Sequence, residues 1–229
     1  MRHPRQIVNY GPSALLLEWE QEIDQSINAA VHAYAQAAAQ LPGILETVPA
    51  YCSLLITFDQ EQITAYHLQE QLYELRPSLQ SVTGRFHRLP VVYGGSFGPD
   101  LAEVADSLNL SPERVIQLHT ETEYLVYQLG YQPGFAFLGE TAPELKIARK
   151  ANPRLEVVAG SVGLAGRQTG VYPQAAPGGW QLIGRCPWPL VRAAPAPFMR
   201  LKAGDRVQFF PIAATEWAAY QQNPATWTS

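Results

Sequence analysis

Side chains able to do chemistry gather between His119 and Arg185. His119 follows a helical stretch and precedes a strand-like one. An imidazole there can act as acid, base or hydrogen-bond donor, or cap the helix end against its dipole. Gln168 and Thr169 bring an amide and a hydroxyl to a glycine-flanked turn, where they can orient a small polar substrate or stabilise the turn itself. Arg149, Lys150, Arg154, Arg167 and Arg185 place five cations in the same region. Arginine's planar fork matches a carboxylate or a phosphate, and a solvated face is the alternative. Phe135, Phe137, Tyr172 and Trp180 can wall a groove or pack as core.

Most of the chain's seventeen glycines share this stretch, in YQPGFAFLG (Tyr131–Gly139), AGSVGLAGRQTGVYP (Ala159–Pro173) and PGGWQLIGR (Pro177–Arg185). Glycine tolerates positive φ and close approach, but costs entropy inside an ordinary strand. Such repetition between apolar runs predicts turns and bulges that build a site or an interface.

Motifs with strict spacing are missing. The run Gly160–Gln168 has neither the lysine nor the hydroxyl of a phosphate-binding G-x-x-x-x-G-K-[ST] loop, and it is not G-x-G-x-x-G. The five histidines, at 3, 32, 67, 87 and 119, form no close pair, so no metal site is expected. Ser161 stands in G-S-V-G, not the G-x-S-x-G of a nucleophile elbow. Cys52 and Cys186 lack close companions and read as free thiols of a reducing compartment.

Two sets of elements position these residues. Ile7–Tyr10 and Ala14–Trp19 read as a hairpin about Gly11-Pro12-Ser13. Ile23, Ile27, Val31, Tyr34, Ala38 and Leu41 then keep one apolar stripe on a helix. Strands at Ile44–Val48 and Cys52–Phe58, a helix through Ile63, Tyr66, Leu72 and Leu75, and a strand at Val82–Leu89 follow. Without the hairpin this is the ferredoxin-like split βαβ order. After residue 87 come a strand at Leu89–Tyr93 and two short helices, the second opened by Ser111-Pro112-Glu113 as N-cap, N1 proline and first-turn acid. Strands at Glu123–Leu129, Glu156–Ala159, Ser161–Ala165, Gly170–Tyr172, Trp180–Gly184 and Val207–Ile212 predict a sandwich or barrel. The tail Thr215–Ser229 has room for one or two helical turns. The expected class is α+β, with domains 1–87 and 88–229.

A net charge of −4 and a pI near 5.7 exclude the basic face that nucleic acid or an anionic membrane would need. The opening residues lack the apolar core of a signal peptide, and no run reaches the ~20 apolar residues of a membrane span, so a cytoplasmic location is expected.

The segments HTETEYLVYQLGYQPGFAFLGE, VVAGSVGLAGRQTGVYPQAAPGGWQLIGR and GDRVQFFPI resemble the family that holds the B subunit of bacterial 5-oxoprolinase, the Kip inhibitor of a sporulation histidine kinase, and allophanate hydrolase subunit 1. The likeness runs from about Ile7 to Ile212 and is strongest in the second half. It implies a ferredoxin-like domain followed by a cyclophilin-like β-barrel. It also implies an ATP-dependent lactam hydrolase that opens 5-oxoproline to glutamate, active only with the homologous C subunit plus the A subunit of 5-oxoprolinase. Alternatives within the resemblance are an inhibitor of a histidine kinase and a carboxyltransferase or allophanate-hydrolase-like component acting on urea-derived amides. On this basis His119, Gln168 and Thr169 are expected to be catalytic, and Tyr127, Phe135, Arg154, Tyr172, Pro177, Gly178, Gly179, Trp180 and Arg185 to bind substrate. ATP is expected to be used by the complex. If so, Gln168, Thr169 and Pro177–Trp180 should surround one concavity close to His119.

Overall fold

The computed structural model describes residues 2–78, 84–192 and 198–223. The chain divides into two compact units, Met1–Val82 and Thr83–Ser229. No helix of the described residues is long and apolar enough to cross a membrane.

The first unit runs β1 (Gln6–Asn9), β2 (Ala14–Glu18), α1 (Gln25–Ala38), β3 (Ile44–Pro49), β4 (Ser53–Phe58) and α2 (Ala65–Glu74). Its helices begin where the sequence supplies caps: Asp24 accepts from the Ile27 N–H, and Thr64 from the His67 N–H. The strands form one antiparallel sheet in the order β1-β2-β4-β3. Alternation turns Leu15, Leu17, Leu54, Ile56 and Phe58 into a core shared with Ile27, Val31 and Tyr34 of α1 and Leu68 and Leu72 of α2.

The strand expected to complete this sheet after α2 belongs instead to the second unit, and β1 of the opening hairpin occupies the edge beside β2. The two strands expected at Val82–Leu89 and Leu89–Tyr93 are one strand, β5 (Phe86–Tyr93), and residues 79–83 lie outside the described residues. A division after residue 87 would therefore cut through β5. Proline at position 90 argues for a break. It is tolerated because β12 pairs with this strand only at Val92 and Tyr93, leaving Pro90 with the single neighbour β13.

After β5 come α3 (Leu101–Leu108), α4 (Pro112–Glu121), β6 (Glu123–Leu129), β7 (Ala136–Gly139), β8 (Arg154–Val157), β9 (Ser161–Ala165), β10 (Gln168–Val171), β11 (Ala176–Gly178), β12 (Gln181–Arg185), β13 (Arg206–Pro211) and α5 (Trp217–Gln222). Seven of these strands close a barrel in the order β10-β7-β6-β13-β5-β12-β9, with β13 and β5 parallel. Strands β8 and β11 form a separate ribbon. The barrel core takes Val162 and Leu164 from β9, Val171 from β10, Ala136 and Leu138 from β7, and Val104, Val115 and Leu118 from the helices. Short strands with period-two alternation close into a barrel because closure removes the exposed sheet edges.

Candidate functional site

The glycine-rich strands separate the candidate residues onto two faces. On β9, Val162 and Leu164 join the barrel core, whereas Gly163 and Ala165 face the other way. On β10, Thr169 and Val171 are inside and Gly170 outside; on β7, Ala136 and Leu138 are inside and Phe137 outside. The outer face carries a second cluster of Phe135, Val157, Ala165, Tyr172, Trp180 and Leu182. Phe135 packs edge-on against both Tyr172 (5.2 Å) and Trp180 (5.4 Å). The glycines exist for these rings: a Cβ on Gly170 would lie 3.2 Å from both Phe135 and Trp180, and one on Gly178 would collide with the Tyr172 hydroxyl. The aromatic residues are thus packed against one another, and do not wall an open groove.

His119 lies inside. It is fully buried, stacked on Phe209 with ring centres 4.5 Å apart. Thr169 Oγ1 donates to the Gly163 carbonyl at 3.0 Å, so its oxygen accepts from His119 Nε2–H at 2.8 Å. Nδ1 then accepts from the Tyr93 hydroxyl at 2.7 Å. The tautomer follows from these partners. Burial pushes the imidazole down to about 3, so it is neutral at pH 7. A neutral ring offers nothing to the helix dipole; the end of α4 is served by Thr122 Oγ1 on the Leu118 carbonyl and by the Tyr124 hydroxyl on the His119 carbonyl.

A different group of polar residues converges near the outer ribbon. The loop Gly94–Pro99 carries Gly94 and Gly95 at φ of +71° and +54°, and delivers Asp100 to the start of α3. Asp100 is 2% exposed. Its Oδ1 receives Arg154 Nη2 at 2.6 Å and Lys150 Nζ at 3.1 Å, and its Oδ2 receives the Leu182 N–H at 2.6 Å. Burial alone would raise this carboxyl, but Arg154, the Leu182 N–H and Lys150 outweigh it and hold it below its ordinary value. Lys150 also pairs with Glu103, and its N–H donates to the Gly179 carbonyl. Gln181 Nε2 donates to the Ala148 carbonyl at 3.1 Å.

The expected residues do not surround one concavity. Thr169 touches His119 inside the barrel, while Tyr172, Gly178 and Trp180 lie on the outer face, with the sheet between. Gln168 is half-buried and pairs through its backbone with Gly139 and Ala165. Tyr127 is fully buried on β6. Pro177 is exposed, and its carbonyl accepts from the Tyr131 hydroxyl. Gly179 is half-buried between the ribbon and Trp180. Arg154 pairs with Gly178 across the ribbon. Arg185 turns away, donating to the Ala159 carbonyl and lying over Trp217. Arg167 is held by Glu140 at 2.5 Å. Sequence reading misses Asp100 and Gln181. Asp100 stands just before α3 and its side chain makes no cap hydrogen bond; nothing local signals a buried acid.

The loop's position is set by close approach. A Cβ on Gly98 would run into the Ile183 carbonyl and the Gly184 nitrogen, both backbone atoms. Gly98→Ala should therefore cost about 3 kcal/mol, read as a lower urea midpoint, because backbone cannot yield as a side chain can. An unchanged midpoint would mean that the loop is free to move.

Among the described residues no group of three or more His, Cys, Asp or Glu side chains is placed to hold a metal ion. The run Gly160–Gly166 is a strand and hairpin turn with no helix behind it, so it forms no phosphate cradle.

Residues 5–200 match the family described as carboxyltransferase domain, subdomain C and D. The chain is 41% identical over 233 residues to the 5-oxoprolinase B subunit of Bacillus subtilis (strain 168), covering 95% of this chain and 97% of that one. It resembles the crystal structure of TTHA0988 at 36% identity and a TM-score of 0.78, covering 88% of this chain but only 40% of that larger protein. The urea carboxylase of Kluyveromyces lactis shares the fold at a TM-score of 0.77 and 20% identity, covering 99% of this chain and 24% of that one.

Proposed function

The chain belongs to the carboxyltransferase-domain family, subdomains C and D, and from that premise we propose that it is the B subunit of a heteromeric, ATP-dependent 5-oxoprolinase. The observation that carries this reading is 41% identity to a protein of that name over 95% of the chain. The barrel reads as cyclophilin-like. The first unit reads as a permuted ferredoxin-like fold, in which β4 lies between β2 and β3 as a split βαβ requires and β1 supplies the fourth strand.

Opening a lactam requires a site that holds the substrate carboxylate, polarises the amide carbonyl and keeps water from the activated intermediate. Arg154 suits the first task, since Asp100 fixes one prong of its fork. The backbone amides around Gly178 and Gly179 lie beside it for the second. His119 and Thr169 are assigned to holding β10 and β9 in register, because a neutral imidazole with both nitrogens engaged has no proton to exchange with a ligand. Nucleotide binding is assigned to a partner, since the glycine-rich run here does not fit a phosphate cradle. The partners are the homologous C subunit plus the A subunit of the same enzyme, and the location is the cytoplasm.

Mixing the chain with both partners should produce glutamate from 5-oxoproline with consumption of ATP. Omitting the chain should reduce glutamate formation to background. Full activity of the two partners without it would overturn the assignment.

A further inference from the structure

A cavity of about 240 Å³ opens on the first unit, lined by His3, Pro4, Tyr34, Leu72, Tyr73 and Arg76. Tyr34 and Leu72 are buried and form its floor, while His3, Tyr73 and Arg76 are exposed at its mouth. The arm that carries His3 and Pro4 is tied on both sides: the Trp19 indole N–H donates to the Arg2 carbonyl at 3.2 Å, and the Arg5 N–H to the Glu18 carbonyl at 2.7 Å. Trp19 also packs edge-on against Tyr34, with ring centres 5.4 Å apart. The lining holds a guanidinium and no acid. Arg76 follows α2, and its Nη1 donates to the carbonyls of Tyr73 (2.9 Å) and Leu75 (3.0 Å), which anchors the group. The Nε–H and Nη2–H edge, the pair of parallel donors that meets a carboxylate, has no partner among the described residues, and no Asp or Glu there pairs with Arg76. Burial pushes the Tyr34 phenol up and the Arg76 charge opposes that push, so the cation lies close to the phenol. His3 Nδ1 and the Tyr34 hydroxyl are hydrogen-bonded at 2.7 Å. A neutral imidazole and a phenol carry two polar hydrogens and this bond uses one, so the pair keeps a spare donor, Nε2–H or O–H, in either tautomer.

We infer that this cavity is a binding site for a small monocarboxylate with a compact ring. The carboxylate accepts from the free edge of Arg76 and from the spare donor of the His3–Tyr34 pair, and the ring rests on Pro4, Leu72 and Tyr73. One fixed cation balances one negative charge, so a phosphate would keep charge uncompensated against an apolar floor. The volume is that of roughly eight waters, which admits a ring and a carboxylate but not a nucleotide. The site lies in the first unit alone and does not rest on the reading of the Arg154 cluster.

The test follows the backbone amides of the full chain by proton–nitrogen correlation NMR at pH 7 as benzoate, benzamide, acetate or inorganic phosphate is added. Benzoate should shift the amides of His3, Tyr34, Leu72, Tyr73 and Arg76 saturably, with a Kd of about 1 mM. Benzamide keeps the ring without the charge, and acetate the charge without the ring; these two and phosphate should each bind about fivefold or more weakly. In Arg76→Gln the preference for benzoate over benzamide should fall to about twofold or less, and Arg76→Lys, which keeps the charge but loses the fork, should restore only part of it. Because the wild-type comparison varies only the ligand, a poorly folding variant does not remove the test. Equal binding of benzoate and benzamide, acetate or phosphate binding as tightly as benzoate, or benzoate shifts that fail to saturate or fall on other residues would overturn the inference. An unchanged benzoate preference in folded Arg76→Gln would do the same. No turnover enters these measurements, so failure of the 5-oxoprolinase reading leaves them untouched.

Discussion

Between pH 6.5 and pH 5 the barrel should lose about 2 kcal/mol of stability through one residue, His119. Unfolded, its imidazole titrates near 6.5; folded, burial holds it at about 3. Between those values the unfolded chain binds one proton more than the folded chain, so lowering the pH favours unfolding. The contribution is fully present above pH 6.5 and declines until about pH 3. Asp100 and Asp205, whose folded values are also lowered, act in the same direction but only below about pH 4, near their unfolded value of 3.8. The window from 6.5 to 5 therefore isolates the histidine. Urea midpoints at the two pH values should differ in the wild type and converge in His119→Gln, a variant less stable at pH 7 but without the titrating ring. An equal pH slope in both proteins would show that the imidazole is not neutral and buried.

Asp100→Ala should impair folding and have the largest effect on activity. Its carboxylate is the shared acceptor of a guanidinium, an ammonium and a backbone N–H. Removing one member of a buried ionic group costs about 3–5 kcal/mol; because Arg154 and Lys150 remain partly exposed, about 2–3 kcal/mol is expected here. With its anchor gone, Arg154 no longer presents Nη1 at a fixed place. The loss of kcat/KM in the assembled complex should be about 100-fold, the range of a charge-assisted hydrogen bond. Asp100→Asn, which keeps an acceptor for Leu182, should recover most of the stability but little of the activity. Equal recovery of both would make Asp100 purely structural.

Secondary structure is legible in the sequence wherever periodicity and caps coincide. The α1 stripe, the Ser111-Pro112-Glu113 start of α4 and the β9 and β12 runs are all present. Partner choice between strands is less legible. Nothing in residues 86–93 says that this strand joins β13, more than a hundred residues away, and not β2. The glycine pattern holds more than the expectation of a single concavity uses. V-G-L-A on β9 and T-G-V on β10 alternate, and that period of two already assigns Val162, Leu164 and Thr169 to one face and Gly163 and Gly170 to the other. Treating the stretch as one concave surface merges two faces. Arg154 is legible from its type; its buried partner Asp100 is not, because burial of a polar residue is a tertiary property without a local signal.

If Arg154 serves the chemistry and His119 the structure, one comparison separates these roles most directly. In the complex assembled from this chain and its partners, kcat/KM for 5-oxoproline is measured for Arg154→Gln and His119→Gln at pH 7.5, per folded complex. The predicted result is a fall of about 30-fold or more for Arg154→Gln and a change within about threefold for His119→Gln. Loss of turnover in folded His119→Gln, with Arg154→Gln as active as the wild type, would contradict it.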